Sequence, residues 1–241
     1  MKLFIHRSQA LGHFKHDANF WLYLLIGIDI LFLTLHVGSA LGYLDISFSV
    51  ARSFGYGEIF QYLKFGLLAI ALAYLAYQWQ STLLGCWSVL FLFLLIDDSV
   101  EIHEHAGASL AQLIGPLTTI NPEILLSLAE AAILLSMGVM LIIPVLILHF
   151  QQGRHSLTRL ISQDIVLLMV IMAFFSIVVD FFHGFATPKS MLRGAFTLVE
   201  EGGEMISISL ITWYVAYVAK NHTAIRHKAL SLTIPTNYPT P

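Results

Sequence analysis

Charge is scarce in this sequence. Of 241 residues, 11% are charged and 57% are hydrophobic. An average soluble domain carries about 25% charged residues. Depletion by more than half, with a mean hydropathy of +0.78, excludes an ordinary soluble domain and leaves a polytopic helical membrane protein. A basic surplus is missing as well. The net charge is −3, so the positive patch that nucleic-acid binding requires is not there. The single cysteine, Cys86, lies in an apolar run, so no intrachain disulfide can form and the redox compartment stays unread. No Ser/His/Asp triad, phosphate-binding loop or nucleotide motif stands out.

What is present is apolar sequence in long runs. Six segments are long enough to cross a bilayer, at about 20–44, 57–79, 81–106, 122–149, 158–185 and 195–219. The expectation is an all-α membrane domain over 20–219, with six transmembrane helices in a bundle. Residues 1–19 are basic and weakly amphipathic, open to an interfacial helix or a plain cytoplasmic segment. The run from Phe20 is too long for a signal-peptide core and is expected to be the first span. The Pro/Thr-rich tail, 220–241, is expected to be unstructured. Lys and Arg set the orientation. With the N-terminus inside, Lys2, Arg7, Lys15, Arg154, Arg159, Lys220, Arg226 and Lys228 fall inside, against Arg52, Lys189 and Arg193 outside. Both termini are therefore expected to be cytoplasmic, and the location to be a bacterial inner (plasma) membrane.

Against this background one stretch stands out. "IDDSVEIHEH", residues 96–105, carries Asp97, Asp98, Glu101, His103, Glu104 and His105 directly after an uncharged run from Ser81 to Leu95. An ionised group at the centre of a span costs at least about 2.5 kcal/mol, so something must offset it. Three other spans bring similar residues to the same level. Glu123 and Glu130 open the fourth, Asp180 and His183 close the fifth, and Glu200, Glu201 and Glu204 open the sixth. Spans three and five run outward while four and six run inward, so all these residues converge on the outer side. This holds whichever way the bundle is inserted.

Helical spacing predicts that Asp98, Glu101 and His105 share a face, as do Asp180 with His183 and Glu200 with Glu204. Asp97 and Glu104 would flank the first set, and His103 would point elsewhere. His36 in the first span lies seven residues after Asp29, so the two could pair with each other. Lys64 could balance an acid of the cluster or reach outward to water. So many carboxylates cannot all be ionised together without a counter-charge: they hold protons, or cations sit among them. Mixed carboxylate and imidazole ligands suit iron or manganese, with zinc as the other option, better than calcium or magnesium. The candidate ligands are Asp98, Glu101, His105, Glu130, Asp180, His183, Glu200, Glu201 and Glu204, with Asp97, His103, Glu104, His36 and Lys64 in supporting or alternative positions.

The four-helix arrangement of these ligands resembles the ferritin-like di-iron carboxylate sites, in which two helices each give a Glu and two each give a Glu-x-x-His pair. Asp180-x-x-His183 is the near match. The third span departs from the pattern with Asp98-x-x-Glu101 and Glu101-x-x-x-His105, and the sixth offers Glu201-x-x-Glu204 without a histidine. The reading is an integral membrane metalloprotein with a mono- or di-nuclear site near the outer face. As an enzyme it would act on a lipid or other hydrophobic substrate, by di-iron-like oxidation or by zinc hydrolysis. Two other classes stay open: a metal-ion or proton transporter using the same acids as a relay, and a non-catalytic subunit of a membrane complex.

Overall fold

The computed structural model describes residues 15–153, 156–183 and 190–226, with the backbone alone at 15–18 and at 183. Among them there are helices and no strands. Helix α1 is Lys15–Ala40, α2 Tyr56–Trp79, α3 Thr82–Val100, α4 Ile102–Ile114, α5 Pro122–Gln151 and α6 Leu157–Ala173. A π-helical segment, Phe174–Val179, leads into the single turn α7 (Asp180–His183), and α8 is Met191–Lys220. Five stretches are long and apolar enough to cross a membrane: Asn19–Ala40, Tyr56–Trp79, Thr82–Val100, Pro122–Gln151 and Leu157–Phe182.

Three boundaries differ from the sequence expectation. The first span begins at Asn19, as expected, on a helix that starts at Lys15, but it ends at Ala40 rather than near 44. The third ends at Val100 rather than 106, because Glu101 takes a left-handed backbone (φ 54°) and α4 starts afresh after it. The tail stays helical over 222–226, and residues 1–14 and 227–241 lie outside the described part. The sixth apolar segment forms a continuous helix, α8, but is not among the five stretches apolar enough to cross. Its position accounts for its composition. Helix α8 packs against α1, α2 and α6, and Ser207, Ser209 and Thr212 are buried on it. A helix enclosed by its neighbours need not be apolar all round, and small polar residues at such interfaces let backbones approach.

The link between α2 and α3 is as short as the sequence implies. Gln80 caps α2 in a left-handed conformation, and Ser81 starts α3 by accepting the Leu84 N–H at 3.4 Å. The two helices pack along their length. Their interface merges with α6 and α8 in one apolar core, with Leu72, Leu75, Leu83, Leu84, Trp87, Phe91, Ile165, Ile211 and Val215 fully enclosed. The Trp87 indole N–H donates to Ser162 Oγ at 2.9 Å, which satisfies the one polar group that so large a buried ring carries.

Candidate metal centre

Beside this core, at the end of the bundle where α3 stops and α5 begins, lies a cavity of about 510 Å³. Its polar wall is assembled from most of the chain. Glu58 and Gln61 come from α2, Asp98 from α3, His103 and Glu104 from α4, and Glu130 from α5. Ser176 comes from the π-helical segment, Asp180 from α7, and Glu200, Glu201 and Glu204 from α8. The sequence places acids of four helices at one level, and the fold turns those of Asp98, Glu130, Asp180, Glu200, Glu201 and Glu204 toward one space. Glu200 hydrogen-bonds Asp180. Two carboxyl groups make that contact by sharing a proton, and otherwise need a cation between them.

The helix break at Glu101 rearranges the acidic stretch. Glu101 ends α3 with its N–H on the carbonyl of Asp97. The chain then turns, and the Asp97 side chain caps the new helix: its Oδ1 accepts the His103 backbone N–H at 3.0 Å. That is one of the first-turn donors of α4 with no partner inside the helix. The other oxygen, Oδ2, lies 2.9 Å from His103 Nδ1. An ionised carboxylate only accepts, so Nδ1 carries the hydrogen, and Nε2 of a neutral ring is left with a free lone pair. Carboxylate-held imidazoles of this kind are the usual arrangement behind metal-binding histidines. A carboxylate oxygen of Asp97, one of Asp98 and a ring nitrogen of His103 lie within 4.8 Å of one another. Burial works against a charged imidazole at His103, but the hydrogen bond to Asp97 and the charges of Asp97, Asp98 and Glu104 outweigh it and raise the pKa.

The break also separates Asp98, Glu101 and His105, which do not form a common face. Glu101 and His105 are not among the lining residues. His105 is exposed, with Nδ1 2.7 Å from the Glu101 carbonyl oxygen. His103, expected to point elsewhere, faces the cavity instead. The side chain of His183 lies outside the described residues.

Two further residues have other partners. Lys64 does not reach the acids of the cavity. It is 1% exposed and pairs with Asp29, itself 0% exposed, at 2.9 Å. His36 does not pair with Asp29 but ties down the loop between α1 and α2: its Nδ1 accepts the Val50 N–H at 3.3 Å and lies 3.1 Å from Ser49 Oγ. Val50, Ala51, Arg52 and Ser53 of that loop line the cavity, and Glu58 accepts the N–H of Phe54 at the loop's other end. His36 thus anchors a loop that lines the cavity. The sequence alone marks no site role for Glu58, Gln61 or Ser176, and Arg52 enters it only as an outer-side cation.

Two glycines are closely packed beside the cavity. A Cβ on Gly107 of α4 would stand 2.5 Å from Glu130 Cγ and 2.7 Å from its Cα. A Cβ on Gly203 of α8 would stand 2.2 Å from the Phe175 ring, next to the π-helical segment that carries Ser176. The glycines of "EEGGE" are thus a place where α8 is approached closely, at the level of the acids.

Residues 17–218 match the family described as "Domain of unknown function (DUF8692)", and the chain belongs to that family. No curated protein and no solved structure matches it.

Proposed function

We propose that this DUF8692 protein is an integral membrane metalloprotein of six spans, α8 being the sixth, with both termini cytoplasmic and the cavity toward the outer face. In this reading it holds one or two metal ions, iron or manganese before zinc, and acts as an enzyme on a lipid or other hydrophobic substrate. The observation that carries the reading is the pairing of buried Asp97 with His103 at the edge of a cavity where carboxylates from α2, α3, α4, α5, α7 and α8 meet. A set of acids so enclosed needs cations or protons, and the oriented imidazole adds a nitrogen ligand that proton storage alone does not require. Asp98, His103, Glu130, Asp180, Glu200 and Glu204 are the first ligands to test, with Asp97 holding His103 in place.

Iron would bring O2-dependent oxidation, whereas zinc would bring hydrolysis. Glu104 and Glu58, at the rim beside the α1–α2 loop, are the carboxylates with room to move a proton to or from a bound substrate. Beneath the cavity the core of Trp87, Ile165, Ile211 and Val215 is fully packed. That weighs for a closed reaction chamber over a path through the bundle.

Elemental analysis of the detergent-purified protein tests the reading. Two irons or manganese ions per chain would support the oxidase form, and stoichiometric zinc the hydrolase form. Protein without bound metal, after purification free of chelators and reloading, would overturn it.

A further inference from the structure

The cavity has a second half that the acids do not use. From Glu130 and Asp180 it extends between α5 and α6 along Leu134, Met169 and Val166, all apolar. Helices α5 and α6 are consecutive in the chain and are tied at one end. His149 Nδ1 lies 3.0 Å from Ser162 Oγ, and Arg159 Nη1 donates to the Gln152 carbonyl at 2.8 Å. Along the rest of their length they barely touch. Leu135 and Val139 on α5 and Val170 on α6 border this gap. They line the cavity and are also exposed on the flank of the bundle, Leu135 by 53% and Val170 by 62%. Side chains that do both mark a mouth. Gly138 lies between Leu135 and Val139 on the turn of α5 that borders the gap, and a Cβ there would meet nothing within 4 Å. The surrounding flank is apolar too, with Met140, Leu167 and Ile171 exposed.

We propose that the gap between α5 and α6 is a lateral portal, through which a single hydrocarbon chain enters from the bilayer with its small polar head directed to the acids. This rests on the membrane-spanning part of the function proposed above and names the substrate class for the same cavity. The flank of α5 and α6 belongs to the two most apolar of the five candidate spans, each with a mean hydropathy of 2.8. A mouth in that flank faces hydrocarbon. A chain that moves from lipid to apolar walls is not dehydrated, so entry carries no solvation cost. Selection then comes from the head, because enclosed carboxylates need a hydrogen-bond donor or a cation. The volume of about 510 Å³ is of the size of small-molecule sites.

The test uses the full chain in lipid nanodiscs with a photoreactive long-chain alcohol that carries its diazirine at the end of the chain. Labelling is expected on the cavity wall, at Met169, Leu134 or their neighbours, and unlabelled alcohol should compete it away. Gly138→Phe fills the mouth and should lower that labelling about tenfold, the scale of an overpacked contact. Ile147→Phe, on an exposed face of α5 outside the cavity lining, should leave it unchanged. Gly138→Leu serves in place of the Phe variant should the latter fail to fold, with a melting curve on each. Metal content is measured on the same preparations. Labelling that depends on Gly138 in protein without metal would sink the metal reading and leave the portal standing. Equal labelling of parent and Gly138→Phe would overturn the portal, as would cross-links showing the gap covered by a second copy of the chain.

Discussion

Asp97 holds His103 at two points, accepting its backbone N–H at 3.0 Å and facing its Nδ1 at 2.9 Å. An amide in place of the carboxylate could still accept the backbone N–H. It would present an NH2 group to Nδ1, turning that nitrogen into an acceptor and moving the ring hydrogen to Nε2. Asp97→Asn is therefore expected to fold and to bind metal about 10- to 100-fold more weakly, the usual loss when the residue behind a ligating histidine changes. Metal titration of the purified variant reads this out. Parent-like affinity would mean that His103 is not a ligand.

Lys64 makes three contacts, one for each hydrogen: Asp29 at 2.9 Å, the Met205 carbonyl at 3.0 Å and Ser209 Oγ at 3.2 Å. Ser209 in turn donates to the second Asp29 oxygen at 2.6 Å. This closed network joins α1, α2 and α8, and none of its four residues lines the cavity. Lys64→Met leaves a carboxylate buried without its counter-charge, and is expected to cost about 3–5 kcal/mol. Lys64→Met with Asp29→Leu should recover most of it, because removal of both charges is far less costly than removal of one. Thermal unfolding in detergent gives the comparison. Metal content of whatever folds should match the parent.

The same small substitution should act oppositely at two glycines. At Gly107 a methyl group would collide with the backbone of α5 at Glu130, 2.8 Å from its nitrogen. Gly107→Ala is expected to destabilise by about 1–3 kcal/mol and to displace Glu130 from the cavity. At Gly27 nothing lies within 4 Å. Gly27→Ala in the middle of α1 should be neutral or stabilising, by up to about 1 kcal/mol from helix propensity. Melting temperatures of the pair decide the matter.

Loading the site should raise thermal stability by mass action. Metal at about 100 times its Kd adds roughly 2.7 kcal/mol if the unfolded chain does not bind it. Addition of iron(II) or manganese to stripped protein should raise the melting temperature, and a chelator should reverse the change. Magnesium at equal concentration should do less, since it prefers an all-oxygen shell and keeps its waters. Equal shifts with magnesium would mean simple neutralisation of the acids.

The depth of the acids was legible from the sequence because it depends only on span order and length. Glu130, Asp180 and Glu200 sit near the ends of three apolar runs, and antiparallel helices bring such ends together. The break at Glu101 was not legible. Neither Gly nor Pro marks it, and "SVEIHEH" reads as one continuous helix. A left-handed non-glycine residue is rare, so propensity argues against it. Here the carboxylate of Asp97 that caps the new helix offsets the strain. The partner of Lys64 was missed for a different reason. Asp29 lies 35 residues away on another helix, and depth alone does not say which faces of two helices meet.

The π-helical segment Phe174–Val179 absorbs an extra residue of chain before Asp180. One residue of an α-helix turns the chain by about 100°, and a π-turn carries a longer loop of backbone between hydrogen-bonded partners. Val166 and Met169 before the segment and Asp180 after it all line the same cavity, so the wider turn is accommodated without carrying Asp180 off that side. Excision of one residue from Phe174–Val179 would let the helix wind regularly. Because the extra residue and the wider turn go together, Asp180 would keep its phase, whereas the same excision from the regular helix Leu157–Ala173 would rotate Asp180 by about a quarter of a turn, off the cavity.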